Sequence, residues 1–232
     1  MPGYQTKQEH VAIAGVDDLI IRSLLNRQQY FDPHGEAARL GISSAAWPLF
    51  GLLWPSGAQL AARLALRPVR AHERILEIGC GLALASLVGH RRGADVTASD
   101  KHPLAREFLS ANLRLNDLAP MPCLLGHWGA ERLPEGRESA SAPGSVRGQY
   151  DLIIGSDLLY ERDPGPALAA FITRHAAPGA EVWIVDPNRG NRPAFNRHMA
   201  ARGFLKREER IDHPASAGAA AYKGRVLVYR RD

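Results

Sequence analysis

Cysteine is almost missing from this chain, whose 232 residues include only Cys80 and Cys123. That excludes a disulfide framework as the source of stability, and a zinc site would lack its usual ligand spacing. Long apolar runs are missing too. No stretch approaches the ~20 consecutive apolar residues of a membrane span, so neither insertion nor secretion is expected and the cytoplasm is the default compartment. Aromatic residues are sparse at 7%, and no basic block is interleaved with them. The net charge of +5 comes largely from arginine spread along the chain. A solvated basic surface accounts for that better than a nucleic-acid stripe, so nucleic acid is not an expected partner. No internal repeat is present.

What the chain does have suits one large α/β domain with additions. Its hydrophobic content of 45% and charged content of 23% are ordinary for a globular protein, and 232 residues are too few for two comfortable domains. From Val16 to Gln29 the spacing of Leu19, Ile20, Ser23, Leu24 and Arg27 predicts an N-terminal helix, with Asp17 and Asp18 suited to its first turn. A polar stretch from Phe31 to Ser44 precedes an apolar one from Ala45 to Trp54, broken at Pro48 and Pro55; Ser56 is the expected cap of a helix reaching about Leu66. The expected division is therefore a helical extension and lid region over 1–66, with Gln28, Gln29 and Tyr30 as lid candidates, and a core over 67–232.

Within that core, apolar runs at Ile75, Val96, Met121 to Leu125, Leu152 and Val182 alternate with helical patterns such as Pro103 to Leu115 and Gly165 to Arg174. Such alternation predicts a doubly wound parallel sheet with helices on both faces. Gly203 to Glu209 and Ala221 to Arg230 read as two closing strands, and 133–148 as a mobile loop by composition.

The chemistry begins at residues 74–83, Arg-Ile-Leu-Glu-Ile-Gly-Cys-Gly-Leu-Ala. An apolar run carries a buried-looking acid, Glu77, into a turn through Gly79, Cys80 and Gly81. Glycines let the backbone approach a ligand closely, and the amides opening the helix from Ala83 to Arg91 face the same spot. About twenty residues on, Asp100 ends the next apolar run, where an open α/β sheet places a ribose-binding carboxylate. An adenosine cofactor follows. Leu84 stands where a dinucleotide fingerprint wants its third glycine, and Glu77 precedes the turn; both favour S-adenosylmethionine, with a nicotinamide-dependent oxidoreductase as the competing reading.

The fourth core strand leads into Gly155-Ser156-Asp157-Leu158-Leu159-Tyr160-Glu161. Here the chain resembles the seven-stranded class I methyltransferases, and within them the branch of protein lysine methyltransferases (methyltransferase family 16 type) with an Asp-x-x-Tyr element after this strand. Asp157 and Tyr160 match that element. The resemblance also covers Trp54-Pro55-Ser56-Gly57, the loop from Glu77 to Ala83, Asp100 with Lys101, and Trp128-Gly129. It implies a Rossmann-like sheet of order 3-2-1-4-5-7-6 with its last strand antiparallel. It further implies that Gly79 and Gly81 lie against the methionine part of the cofactor, that Asp100 accepts from the ribose, and that Trp128 packs beside the adenine. Trp54 and Gly57 would close the pocket, and Ser156 would meet the reactive end. His127 stands where relatives often carry an acid.

The implied reaction is methyl transfer to nitrogen, most of all to a protein lysine, with Asp157 and Tyr160 as catalytic candidates. The alternatives are a small-molecule N-methyltransferase and a catalytically silent cofactor-binding module. Asn-Pro-Pro-Tyr, usual for exocyclic-amine nucleic-acid methylation, is not at the fourth strand, and neither cysteine is placed as a cytosine-attacking nucleophile. The turn from Asp186 to Gly190, after the fifth strand, is a candidate border of the substrate channel.

Overall fold

The computed structural model describes residues 3–128, 144–160, 165–214 and 221–231. Most of the expected loop over 133–148 lies outside the described residues.

The core sheet has seven strands: β3 (Arg74–Ile78), β4 (Asp95–Asp100), β5 (Cys123–Leu125), β6 (Tyr150–Ser156), β7 (Ala176–Asp186), β8 (Leu205–His213) and β9 (Tyr222–Arg230). Their spatial order is β5-β4-β3-β6-β7-β9-β8. Numbered within the sheet, this is the expected 3-2-1-4-5-7-6. β3 to β7 pair in parallel, whereas β9 runs antiparallel to both β7 and β8.

Period-two alternation along the strands divides the core. Ile75, Val96, Leu152, Ile154, Trp183, Val185 and Val226 point to one face. That face packs against α2 (Pro55–Leu66), α3 (Leu84–Arg91) and α4 (Ala105–Leu115), which follow a one-turn helix, α1 (Glu36–Arg39). Leu76, Ile78, Ile153, Val182, Ile184 and Leu227 point to the other, under α5 (Gly165–His175) and α6 (Arg192–Ala200). Strand order proceeds one way through β3, β4 and β5 and the other way through β6 and β7. Right-handed crossovers therefore place the helices on opposite faces.

The N-terminal helix expected over 16–29 is not formed. Leu19–Leu24 is a strand, β2, paired antiparallel with β1 (Thr6–Val11) in a separate two-stranded sheet. Leu19, Ile21 and Ser23 are buried while Ile20 and Arg22 between them are half-buried, a period of two that the short apolar run concealed. The partner β1, Thr-Lys-Gln-Glu-His-Val, is largely exposed and carries no apolar signal.

What fixes β2 is an unusual second edge. Asn116 Oδ1 accepts from the Ile20 N–H at 2.9 Å and its Nδ2 donates to the Ile20 carbonyl at 2.8 Å, while Asn112 Oδ1 accepts from the Arg22 N–H at 2.8 Å. Two side-chain amides on α4 thus replace a neighbouring strand, satisfying backbone groups that burial would otherwise leave unpaired. The expected cap at Ser56 is also corrected: α2 begins at Pro55 after an extended Trp54, with no side-chain cap. Proline at the first position has no N–H to satisfy, which leaves Ser56 Oγ to bond Tyr222 Oη across the core at 2.9 Å.

Asn116→Ala removes both bonds to Ile20. The expected loss is about 1–3 kcal/mol, seen as a Tm several degrees lower and faster hydrogen exchange at Ile20.

Candidate active site

The carboxyl ends of β3, β4, β6 and β7 converge on one cavity of about 400 Å³. The cofactor-binding and catalytic candidates from the sequence all line it: Trp54, Gly57, Glu77, Gly79, Cys80, Gly81, Asp100, Lys101, Trp128, Ser156, Asp157 and Tyr160. The cavity lies where strand order reverses, between β3 and β6, as open α/β sheets place their ligands.

The loop after β3 is held from inside. Glu77 is buried, and one of its carboxylate oxygens accepts from both the N–H and the hydroxyl of Ser86, the N–H at 2.8 Å. Ser86 lies in the first turn of α3, so the acid satisfies an otherwise orphaned helix donor and ties the helix to its strand. Burial pushes the Glu77 carboxyl up to about 7, against the Ser86 bonds that favour its charged form. Between the two lies the turn, with Gly79 at φ +58°, Gly81 at φ +51° and Ala83 at φ +60°. A Cβ on Gly79 would lie 2.5 Å from Leu158 Cδ2, and one on Gly81 2.8 Å from the Phe50 carbonyl oxygen. The left-handed φ favours glycine at both, and at Gly81 the fixed Phe50 backbone leaves no space for a Cβ.

Asp100 holds the same loop from the β4 side. Its Oδ2 accepts from the Gly81 N–H and its Oδ1 from the His102 N–H, each at 2.8 Å. Burial raises this carboxyl above the usual range, against those two amides, which favour the charged form. A carboxylate can take about four hydrogen bonds, so Asp100 retains acceptor capacity for a ligand.

Residues 42–54 form a wall that the sequence did not reveal. Ile42, Ala46, Leu49, Phe50, Leu52 and Leu53 line the cavity together with Trp54. A 3-10 turn over Trp47–Gly51 sets them there. Phe50 stacks on His102 with centroids 3.6 Å apart, and Trp47 meets the same imidazole edge-on. Burial pushes His102 down to about 3, so it stays neutral, with Nδ1 accepting from the Leu104 N–H. The Trp54 indole N–H donates to the Leu49 carbonyl at 2.9 Å, which holds the ring at the rim. Gln28, Gln29 and Tyr30 are not among the lining residues. Trp128 packs edge-on to Phe171 and closes the side next to Gly79.

At the β6 end, Asp157 has φ +56° and its N–H bonds the Val185 carbonyl at 3.0 Å, an anchored left-handed residue. Arg189, from the turn after β7, donates to Asp157 Oδ1 at 2.7 Å and also lines the cavity. Of the turn from Asp186 to Gly190, Arg189 is the residue among the cavity lining. Tyr160, 41% exposed, stands at its mouth. Among the described residues no group of His, Cys, Asp and Glu could hold a metal, and no helix is long and apolar enough to cross a membrane.

With this geometry the class is that of a methyltransferase-type doubly wound sheet. The chain belongs to the lysine methyltransferase family, whose profile matches residues 51–206. It is 30% identical over 160 residues to the electron transfer flavoprotein beta subunit lysine methyltransferase of Danio rerio, covering 68% of this chain and 55% of that one. It is 29% identical over 158 residues to the protein N-lysine methyltransferase METTL21A of Danio rerio, covering 63% and 61%. The chain thus spans just over half the length of these relatives. A solved methyltransferase from Pyrococcus furiosus shares the fold, with a TM-score of 0.53 at 18% identity over 84% of this chain and 97% of that one.

Glu77 generates a pH prediction. Its folded carboxyl titrates near 7 against an ordinary 4.5, so the folded state keeps a proton that the unfolded chain releases. Stability is therefore lost as pH rises from about 4.5 to about 7. Glu77→Gln keeps an acceptor for Ser86 without a charge, and its stability relative to wild type should grow across that window, by about 3 kcal/mol at most. Urea unfolding at pH 5 and pH 8 measures this; an equal gap at both pH values would remove the buried-acid assignment.

Proposed function

We propose that this protein transfers the methyl group of S-adenosylmethionine to a nitrogen nucleophile, the side chain of a protein lysine. The observation that carries the reading is one cavity in which the Gly79-Cys80-Gly81 turn, the Asp100 carboxylate and the Asp157/Tyr160 pair converge, in a chain of the lysine methyltransferase family. The relatives' printed names, which describe lysine methylation of proteins, support the same acceptor class.

The residues fit the cofactor. The free lone pairs of Asp100 suit the ribose hydroxyls, and a charge-assisted bond there contributes about 1.5–3 kcal/mol. Trp128 offers an aromatic face for the adenine beside the bare backbone of Gly79, and the turn leaves room for the methionine part. Lys101, Cys80 and Gly57 complete the wall, with Ser156 at the reactive end.

When bound, the cofactor supplies an already activated methyl carbon on a sulfonium. The chain's task is then alignment and exclusion of water, and positioning of that kind is worth up to about 7–11 kcal/mol. Leu49, Phe50, Leu52 and Leu53 form the apolar wall that keeps water out. A lysine amine with an ordinary pKa near 10.4 costs about 4.6 kcal/mol to neutralise at pH 7. Asp157 orients that amine by accepting from it, and Tyr160 walls the entrance. The proton leaves to water before transfer, without a general base on the protein.

Two measurements test the reading. Tritiated S-adenosylmethionine incubated with a lysate should label a protein band; label confined to the small-molecule filtrate would choose a metabolite acceptor, and tight cofactor binding with no label anywhere would choose a silent binding module. In isothermal titration, Asp100→Ala should weaken S-adenosylhomocysteine binding at least tenfold. Equal affinity in the two proteins would remove the ribose assignment.

A further inference from the structure

Where β6 and β7 end, three buried polar atoms have no hydrogen-bond partner among the described residues: Asp157 Oδ2, Asp186 Oδ2 and Arg189 Nε. They belong to one arrangement. Asp186 Oδ1 accepts from the Arg189 N–H at 2.8 Å, which fastens the turn to its strand, and the guanidinium then reaches Asp157 Oδ1 at 2.7 Å. The Asp157 side chain is 11% exposed, too buried for solvent to hold its carboxylate in place, and its backbone is already pinned to Val185. One oxygen of the acid is therefore committed to Arg189 and the other is not.

We propose that Arg189 is a positioning residue for methyl transfer: by holding Asp157 Oδ1 it fixes the carboxylate in the cavity wall, leaves Oδ2 as its unengaged acceptor and cancels the charge that would keep an incoming amine protonated. This rests on the lysine methylation reading above. An amine lone pair must be free to form the new N–C bond as the C–S bond breaks, with that bond's electrons remaining on sulfur. The amine must lose one proton to water beforehand, and the product is the methylated ammonium, so one proton is released per transfer. An unpaired carboxylate within a few ångströms would resist the first loss, raising the amine pKa by about one to three units. A carboxylate already paired with a guanidinium keeps its acceptor lone pairs but presents no net charge. It can orient the amine without holding the proton on it. Arginine suits this task because it stays charged over the whole range in which lysine titrates.

Other groups face the pair. Asp186 comes from β7, Arg192 from α6 and Tyr222 from β9. Glu77, Asp100 and Lys101 share the cavity from β3 and the end of β4. Burial pushes Tyr222 up to about 12, which keeps it neutral through the useful pH range. Burial pushes Glu77 up to about 7, at the foot of the measured pH range and below the midpoints compared.

The test uses the protein that wild type labels most heavily, purified as acceptor, with tritiated S-adenosylmethionine. kcat and KM are measured from pH 7 to pH 10 for wild type, Arg189→Gln and Arg189→Lys, beside S-adenosylhomocysteine affinity. The expected result for Arg189→Gln is a kcat midpoint about one pH unit or more higher. Its kcat is then about tenfold lower near pH 7.5 and recovers toward wild type at pH 10, with acceptor KM no higher and cofactor-product affinity within twofold. Arg189→Lys returns the midpoint toward wild type. A kcat lowered by the same factor at every pH, or an unchanged midpoint, overturns the inference and leaves lysine methylation standing. A wild type that labels no protein overturns that reading and this one with it.

Discussion

A right-handed crossover can seat its helix on only one face of a sheet for each direction of travel, and the site of this protein follows from that constraint. Going outward from β3 to β4 and β5 puts α3 and α4 on one face; going the other way from β6 to β7 puts α5 on the opposite face. At the reversal, the loops leaving β3 and β6 diverge to opposite faces, and no helix fills the space between them. The cavity is what this divergence leaves open. Its floor is backbone because the turn after β3 must pass beneath Phe50 and Leu158, with no room for a Cβ at Gly81.

Acids at the strand ends convert that opening into a defined surface, and each does so through backbone amides. Glu77 takes the first-turn amide of α3, Asp100 takes Gly81 and His102, and Asp186 takes Arg189. A loop built this way is shaped by hydrogen bonds to buried carboxylates, which are directional, more than by apolar contact, which is not. The same acids are then partly used before any ligand arrives. Burial raises both carboxyls, but Glu77 takes the amide and hydroxyl of Ser86 in α3, whereas Asp100 takes backbone amides of the loops beside it. The two acids therefore hold different things: Glu77 ties its strand to a helix, and Asp100 fastens the glycine turn beside the cavity.

This difference also marks how far the sequence could be read. The alternation of strands and helices and the cavity lining from β3, β4 and β6 were legible because apolar runs, glycines, strand-end acids and the Asp-x-x-Tyr element fall at local, fixed spacings; the strand order came only from the family resemblance. Two features were not. In Leu19–Leu24 the apolar positions fit a helix face or a strand face equally well over six residues, and the deciding bonds come from Asn112 and Asn116, about ninety residues away. The wall over 42–54 reads only as an apolar stretch with prolines, since its contact with His102 and Gly81 is purely tertiary. Arg189 was visible as part of a turn, but its partner Asp157 lies 32 residues earlier and across a strand pair.

These two illegible features are coupled. Tyr4, just before β1, packs against Trp47 and Phe108, and Phe108 in turn meets Phe50 edge-on. β2 is bonded to the same helix, α4, that presents Phe108. The hairpin thus braces one side of an aromatic cluster whose other side, Phe50 on His102, forms the cavity wall beside Asp100. A small two-stranded sheet is marginal by itself. Here it gains a helix as its second edge and, through the ring contacts, supports the apolar wall that keeps water away from the proposed reaction. Its mostly polar outer strand, with no core face of its own, is consistent with that role: β1 completes the hydrogen bonding of β2, and β2 carries the packing.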